Sequence, residues 1–140
     1  MTITPAIESS TGQQPSLNSG NRITAETFTP LCPSRVLLEH VTSKWGVLIL
    51  LALADSGMRW GELRRSVGGI SEKMLASTLR TLENDHLVDR TVAATVPPRV
   101  DYALTETGRE LATLLTPLAH WVRAHSSRLE EDRNANPGQG

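Results

Sequence analysis

The segment SEKMLASTLRTLEND, residues 71–85, carries side chains that could recognise another molecule. At about 100° per residue, its large apolar side chains fall on one arc of a helix. The opposite arc holds Lys73, Ala76, Ser77 and Arg80. Short side chains let a helix approach a DNA groove closely, and lysine or arginine can reach base edges or phosphates. The face therefore indicates contact with nucleic acid, with an ordinary solvated helix surface as the alternative.

Arginines lie on both sides of this segment. Arg64 and Arg65 end the short stretch GELRRSV, and Arg90 and Arg99 flank the tip of a predicted hairpin. Such side chains would neutralise phosphates and make binding depend on salt. The whole chain has a net charge of -1, so the argument depends on where these charges are placed and not on their total.

The single cysteine, Cys32, stands directly before Pro33 at the predicted start of a helix. There the helix dipole and free N–H groups favour a thiolate, and Arg35 could add positive charge. Two interpretations remain open, a sensor of oxidants or electrophiles and a small hydrophobic side chain. With one cysteine in the chain, a disulfide would have to join two subunits, or a small molecule would have to cap the thiol.

Catalytic patterns are absent from the sequence. It has no G-x-S-x-G elbow and no glycine-rich phosphate loop. His120 and His125 are five residues apart, which does not align them on one helical face, and His40 and His86 stand alone. We therefore expect no enzyme activity, no metal site and no cofactor.

The elements that position these residues are predicted in the order helix, helix, helix–turn–helix, β-hairpin, long helix. Ser43, Ser71 and Thr105 are suitable N-caps for three of the helices. Residues 87–96 and 97–105 have strand chemistry around a proline-containing turn. Pro117 should kink or split the last helix. This order predicts a mostly α fold with a small β-hairpin wing, a winged helix–turn–helix.

The length of 140 residues allows one domain. We expect disordered tails at residues 1–28 and 130–140, which are polar, and a folded domain over 29–129. The most apolar run, residues 45–54, is too short for a membrane span, which needs about 20 residues. Together with the lack of a secretory signal pattern, this predicts a cytoplasmic protein that does not enter a membrane.

Three blocks of the sequence resemble one family of regulators. They are CPSRVLLEHVTSKWGVLILLAL, RWGELRRSVGGISEKMLASTLRTLENDHLVDR and VPPRVDYALTETGRELATLL. Together they resemble the HxlR-type winged helix–turn–helix regulators, bacterial relatives of the MarR group, over roughly residues 31–122. The lysine–tryptophan start of the second helix, the GIS-x-KML turn and the VPPRV-x-Y wing make the resemblance specific.

The resemblance implies a homodimeric transcriptional regulator, more often a repressor than an activator, that binds a two-fold symmetric operator in double-stranded DNA. Lys73, Ala76, Ser77 and Arg80 would read a major groove. Backbone or minor-groove contacts would come from Arg64 and Arg65 and from Arg99 in the wing, and Ser71 at the start of the reading helix joins this DNA-binding set. Some relatives with a cysteine at the position of Cys32 sense quinones, aldehydes or oxidants, and others have no known redox role.

A dimer is also indicated by the last helix, where one stripe is apolar and would be covered economically by a second copy. Its residues are Leu111, Leu114, Leu115, Leu118, Trp121 and Val122. Packing of this stripe within one chain remains the alternative. A second function also remains open, because a winged helix can serve as a protein-interaction module, and the near-neutral charge is compatible with it.

Overall fold

The computed structural model describes residues 23–139. Its α-helices are α1 (Pro33–Thr42), α2 (Lys44–Ala52), α3 (Trp60–Val67), α4 (Glu72–Asn84) and α5 (Glu106–Ala135). The strands are β1 (Met58–Arg59), β2 (Val88–Ala93) and β3 (Arg99–Leu104), and short 3-10 turns cover Ala25–Thr27 and Pro137–Gln139. The chain divides into two units at Val36 and Leu37, and helices α2 to α5 and the three strands all belong to the second.

The predicted N-caps are confirmed, and each caps its helix through a side-chain oxygen. The Ser43 hydroxyl accepts the N–H of Gly46 at 3.1 Å, and the Thr105 hydroxyl accepts the N–H of Gly108 at 2.9 Å. Ser71 accepts the N–H of Met74 at 3.0 Å. These bonds satisfy donors that a helix start leaves without a partner inside the helix.

A three-stranded antiparallel sheet with the order β1-β3-β2 forms the wing and its base. The hairpin pairs Val88 with Leu104 at its base and Ala93 with Arg99 near its tip. The third strand, β1, was not predicted, because two residues are too few to show a strand pattern. It pairs Arg59 with Asp101 on β3, so it joins the start of α3 to the wing.

The core lies where α2, α3 and α4 meet the sheet and the first turns of α5. Its buried side chains are almost all aliphatic, and they are Ile49, Leu50, Leu53, Leu63, Ile70, Leu75, Leu79, Leu82, Leu87, Val88, Tyr102, Leu104, Ala112 and Leu115. Burial of this apolar area supplies the main favourable term in folding. The predicted fold, a mostly α winged helix–turn–helix, is confirmed.

Two expectations about the last helix need correction. α5 is one continuous helix through Pro117, so of the predicted kink or split, the split does not occur. A proline removes only one helical hydrogen bond, and the bonds on either side remain. The helix also continues to Ala135, so residues 130–135, predicted as part of a polar tail, are helical. The predicted N-terminal tail, residues 1–28, lies mostly outside the described residues.

Within residues 23–139, no helix combines the length and the hydropathy that crossing a membrane requires.

Candidate nucleic-acid interface

Helix α4 packs against the core through one face and exposes the opposite face to solvent. Leu75, Leu79 and Leu82 are at most 1% exposed and pack in the core. On the opposite side Lys73, Ser77 and Arg80 are exposed. Side chains anchored this way lie on a rigid element, which is what a reading helix requires.

The other members of the predicted reading set differ in exposure. Ala76 is half-buried. Its small side chain would let α4 approach a DNA groove closely, but it offers little contact area. The Ser71 hydroxyl oxygen is used as the cap of α4. Arg80 borders a cleft of about 470 Å³ between α4 and the sheet, which Arg90 also lines. Both cations therefore lie at the side of α4 that faces the wing.

A two-glycine turn sets the angle between α3 and α4. Gly68 and Gly69 have φ of 70° and 74°, a left-handed region that glycine enters without the penalty of a Cβ. Next to the turn, Ile70 is buried. Across it, Arg64 Nη1 lies 3.2 Å from Glu72 Oε1. This ion pair links the last turn of α3 to the first turn of α4 across the two-glycine turn.

The wing carries its predicted cation near the tip. Arg99 Nε donates to both carboxylate oxygens of Asp101, at 3.0 and 3.2 Å. The base of the wing is braced by Trp60 and Tyr102, whose ring centroids are 6.5 Å apart. The hairpin therefore keeps Arg99 in a defined orientation beside α3.

Arg59 is a basic residue of this region that no sequence pattern indicated. It lies on β1 beside β3 and lines two adjoining clefts together with Arg99. Its only sequence signal is its basic side chain, because the pairing that brings it to the wing joins residues 42 positions apart.

Cys32 is half-buried and precedes the first turn of α1. The side chain of Ser34 lowers the pKa of the Cys32 thiol through a hydrogen bond, and the backbone N–H of Ser34 lowers it further. Burial opposes this shift, and the N–H of Arg35 adds to it. A lowered pKa gives more thiolate near neutral pH, and the thiolate is the reactive form.

The apolar stripe on α5 divides into a buried part and an exposed part. Leu115 is 7% exposed and belongs to the core of its own chain, which leaves little of its side chain for the predicted dimer interface. Leu111 is half-buried and packs against that core. The exposed members are Leu114 (69%), Leu118 (53%), Trp121 (59%) and Val122 (50%). The difference arises because the first turns of α5 cover the sheet and α2, whereas the later turns extend past them.

In the described part of the chain, no three histidine, cysteine or acidic side chains are grouped as a metal site would require.

Comparison with known proteins assigns the family. Residues 40–130 match the HxlR-like helix-turn-helix family. The HTH-type transcriptional regulator YtfH of Escherichia coli (strain K12) is 48% identical over 95 residues, covering 68% of this chain and 75% of that protein.

Solved structures agree in fold. The transcriptional regulator YtfH from Salmonella typhimurium has a TM-score of 0.70 at 45% identity, covering 76% of this chain and 96% of that one. The redox regulator HypR in its oxidized form has a TM-score of 0.61 at 35% identity, covering 66% and 96%. The chain therefore belongs to the HxlR-like helix-turn-helix family of DNA-binding transcriptional regulators.

Proposed function

We propose that the protein is a homodimer that binds a two-fold symmetric operator, with α4 of each subunit in a major groove and each wing along the adjacent minor groove or backbone. The observation that carries this proposal is the two-sidedness of α4. Its leucines are buried, and Lys73, Ser77 and Arg80 are exposed. Arginine and lysine are the side chains that most often read guanine in the major groove.

Selection of binding sites from genomic DNA, followed by a gel-shift titration with salt, tests this function. We expect a specific complex that weakens steeply as salt rises. Arg80→Ala should lose about 1–3 kcal/mol of discrimination between the selected site and unrelated DNA. Arg133→Ala, near the end of α5, is the matched control and should keep the wild-type discrimination between the selected site and unrelated DNA.

Two outcomes would contradict this assignment in different ways. If no genomic fragment is retained at low salt, the protein-interaction alternative replaces DNA binding. If Arg80→Ala keeps the wild-type site selection, the assigned reading face is wrong although DNA binding stands.

The homodimer is supported by the exposed part of the α5 stripe. Leu114, Leu118, Trp121 and Val122 are each at least half exposed and recur at helical spacing along one face. Leu114 also lines an apolar groove of about 210 Å³ with Leu37 of α1. Exposed apolar area of this extent on one helix is typical of an interface, and a second copy would cover it isologously.

Sedimentation at micromolar concentration tests the dimer. The wild type should sediment as a dimer, and Leu118→Asp should shift it toward monomer because a carboxylate would be buried without a partner. Thr113→Asp, at an exposed position on the same helix, should leave the dimer intact. A monomeric wild type would contradict the proposal.

We further propose that the regulator is a repressor and that Cys32 responds to oxidants or electrophiles. The second part is supported by the lowered pKa of the thiol and by the likeness to the redox regulator HypR. Repression rests on the resemblance to the family. A promoter reporter in a strain with and without the gene tests the sign of regulation. A full oxidant response in Cys32→Ser would exclude Cys32 as the sensor.

A further inference from the structure

Strand β1 brings Arg59 to the wing, close to Arg99. Arg59 pairs with Asp101 across the sheet, and Arg99 is two residues earlier on the same strand β3. The carboxylate of Asp101 accepts both hydrogen bonds from Nε of Arg99. These bonds are made by the inner nitrogen of the guanidinium, and they orient the side chain beside Arg59.

Arg65 reaches the same place from helix α3. A Cβ added at Gly61 would lie 3.5 Å from Nη1 of Arg65, so the guanidinium of Arg65 folds back over the first turn of α3. That turn follows Arg59 directly in the chain. Because Gly61 has no side chain, the space beside the Arg65 guanidinium stays open.

The three guanidinium groups border one open cleft of about 540 Å³ between α3 and the wing, lined by Arg59, Gly61, Glu62, Arg65 and Arg99. Glu62 is the acidic member of this lining. Its carboxylate accepts the backbone N–H of Arg59 at 3.3 Å, so it is already held at the helix start. Three cations against this carboxylate and Asp101 leave one net positive charge at the cleft.

We propose that this cleft is the seat of a single DNA backbone phosphate, with Arg59 as a binding residue alongside Arg65 and Arg99. The inference rests on the proposed DNA-binding function and names a contact within it. Guanidinium groups present their N–H donors in a planar fork that matches phosphate oxygens. An adjoining groove of about 450 Å³, which shares Arg59 and Arg99, runs to the wing tip, so the backbone has a continuous path from the seat along the wing.

The salt dependence of DNA binding tests the seat. Each neutralised phosphate contributes a slope of about −0.9 to the plot of log affinity against log salt. Because Arg65 and Arg99 still border the cleft in Arg59→Ala, this variant should make the slope shallower by at most about that amount. Between about 50 and 200 mM salt, the ratio of wild-type to variant affinity should then fall by at most about 3.5-fold. The affinity loss should be equal on the selected operator and on unrelated DNA, because a phosphate contact carries no sequence information.

Two further variants make the result specific. Arg59→Lys keeps the charge and should retain the wild-type slope, and Arg133→Ala should also retain it. Thermal melts establish that each variant folds, which is expected because Arg59 is exposed.

Each outcome decides the proposal. A shallower slope in Arg59→Ala alone supports the seat. If Arg59→Ala keeps the wild-type slope while the wild type binds DNA with steep salt dependence, the seat is overturned and the proposed function stands. If Arg59→Ala changes the preferred sequence and not the slope, Arg59 reads bases and the seat is again overturned. A wild type that retains no DNA overturns both.

Discussion

Replacing Gly108 by alanine tests a close backbone contact of α5. A Cβ at this position would overlap the carbonyl oxygen of Leu87 and lie 3.0 Å from its carbonyl carbon. That carbonyl oxygen already accepts the N–H of Thr105 at 3.0 Å. No side-chain rotation can relieve a clash with backbone, so α5 would have to shift away from the segment that joins α4 to the wing.

The expected change in the free energy of unfolding follows from two opposing effects. Overpacking a well-packed site costs about 1–3 kcal/mol and more in some cases, and a backbone clash belongs to the upper end. Alanine recovers about 1 kcal/mol of helix propensity relative to glycine. We expect a net loss of about 2 kcal/mol in the free energy of unfolding, which for a domain of this size lowers the Tm by about 10 °C.

Thermal unfolding followed by far-ultraviolet circular dichroism measures this shift, and a urea titration at constant m-value confirms that stability alone has changed. Gly138→Ala is the matched control, because a Cβ there meets nothing within 4 Å. If Gly108→Ala melts at or above the wild-type temperature, the close approach of α5 to Leu87 is not a constraint on the fold, and the reasoning from it is wrong.

Three further predictions concern helix α4 and the thiol. Asp85→Ala removes the 2.7 Å contact to His40 Nδ1 at the end of α4, and it should lower stability by about 1 kcal/mol in a urea titration. Leu79→Ala leaves a cavity beneath the exposed face of α4 and should cost about 2–5 kcal/mol in the same assay. Ser34→Ala removes the hydrogen bond that contributes most to lowering the pKa of Cys32, so the pH profile of alkylation at Cys32 should move to higher pH.

These predictions have separate controls. Asp89→Ala, at an exposed position on β2, should leave the urea midpoint unchanged, and an equal effect at both aspartates would count against a role for the His40 contact. A Leu79→Ala protein as stable as the wild type would contradict the burial of that side chain. An alkylation profile unaltered by Ser34→Ala would show that the serine does not set the reactivity of Cys32.

Local sequence was sufficient for most elements because each carries its own signal. The caps at Ser43, Ser71 and Thr105 and the leucine spacing of α4 express preferences of a few neighbouring residues, and the structure confirms them. The end of α5 at Ala135 was missed because EEDRNA has a polar composition that suits a solvated helix end as well as a tail.

Burial along one helix was harder to predict from its pattern. The stripe on α5 shows that residues share a face, and it does not show which neighbour covers them. Leu115 is buried by its own chain and Leu118 is exposed, although they are three residues apart. Where α5 ends its contact with the rest of the domain depends on packing between distant segments.

The sequence by itself determined the order of the elements and the two faces of α4, because helix periodicity and capping are local properties. Only the tertiary structure decided which basic side chains lie close together. Arg59 reaches Arg99 through the two-residue strand β1, whose pairing with β3 spans more than forty positions of the chain. Such a pairing depends on hydrogen bonds between distant backbone segments, and no local sequence pattern near Arg59 predicts it.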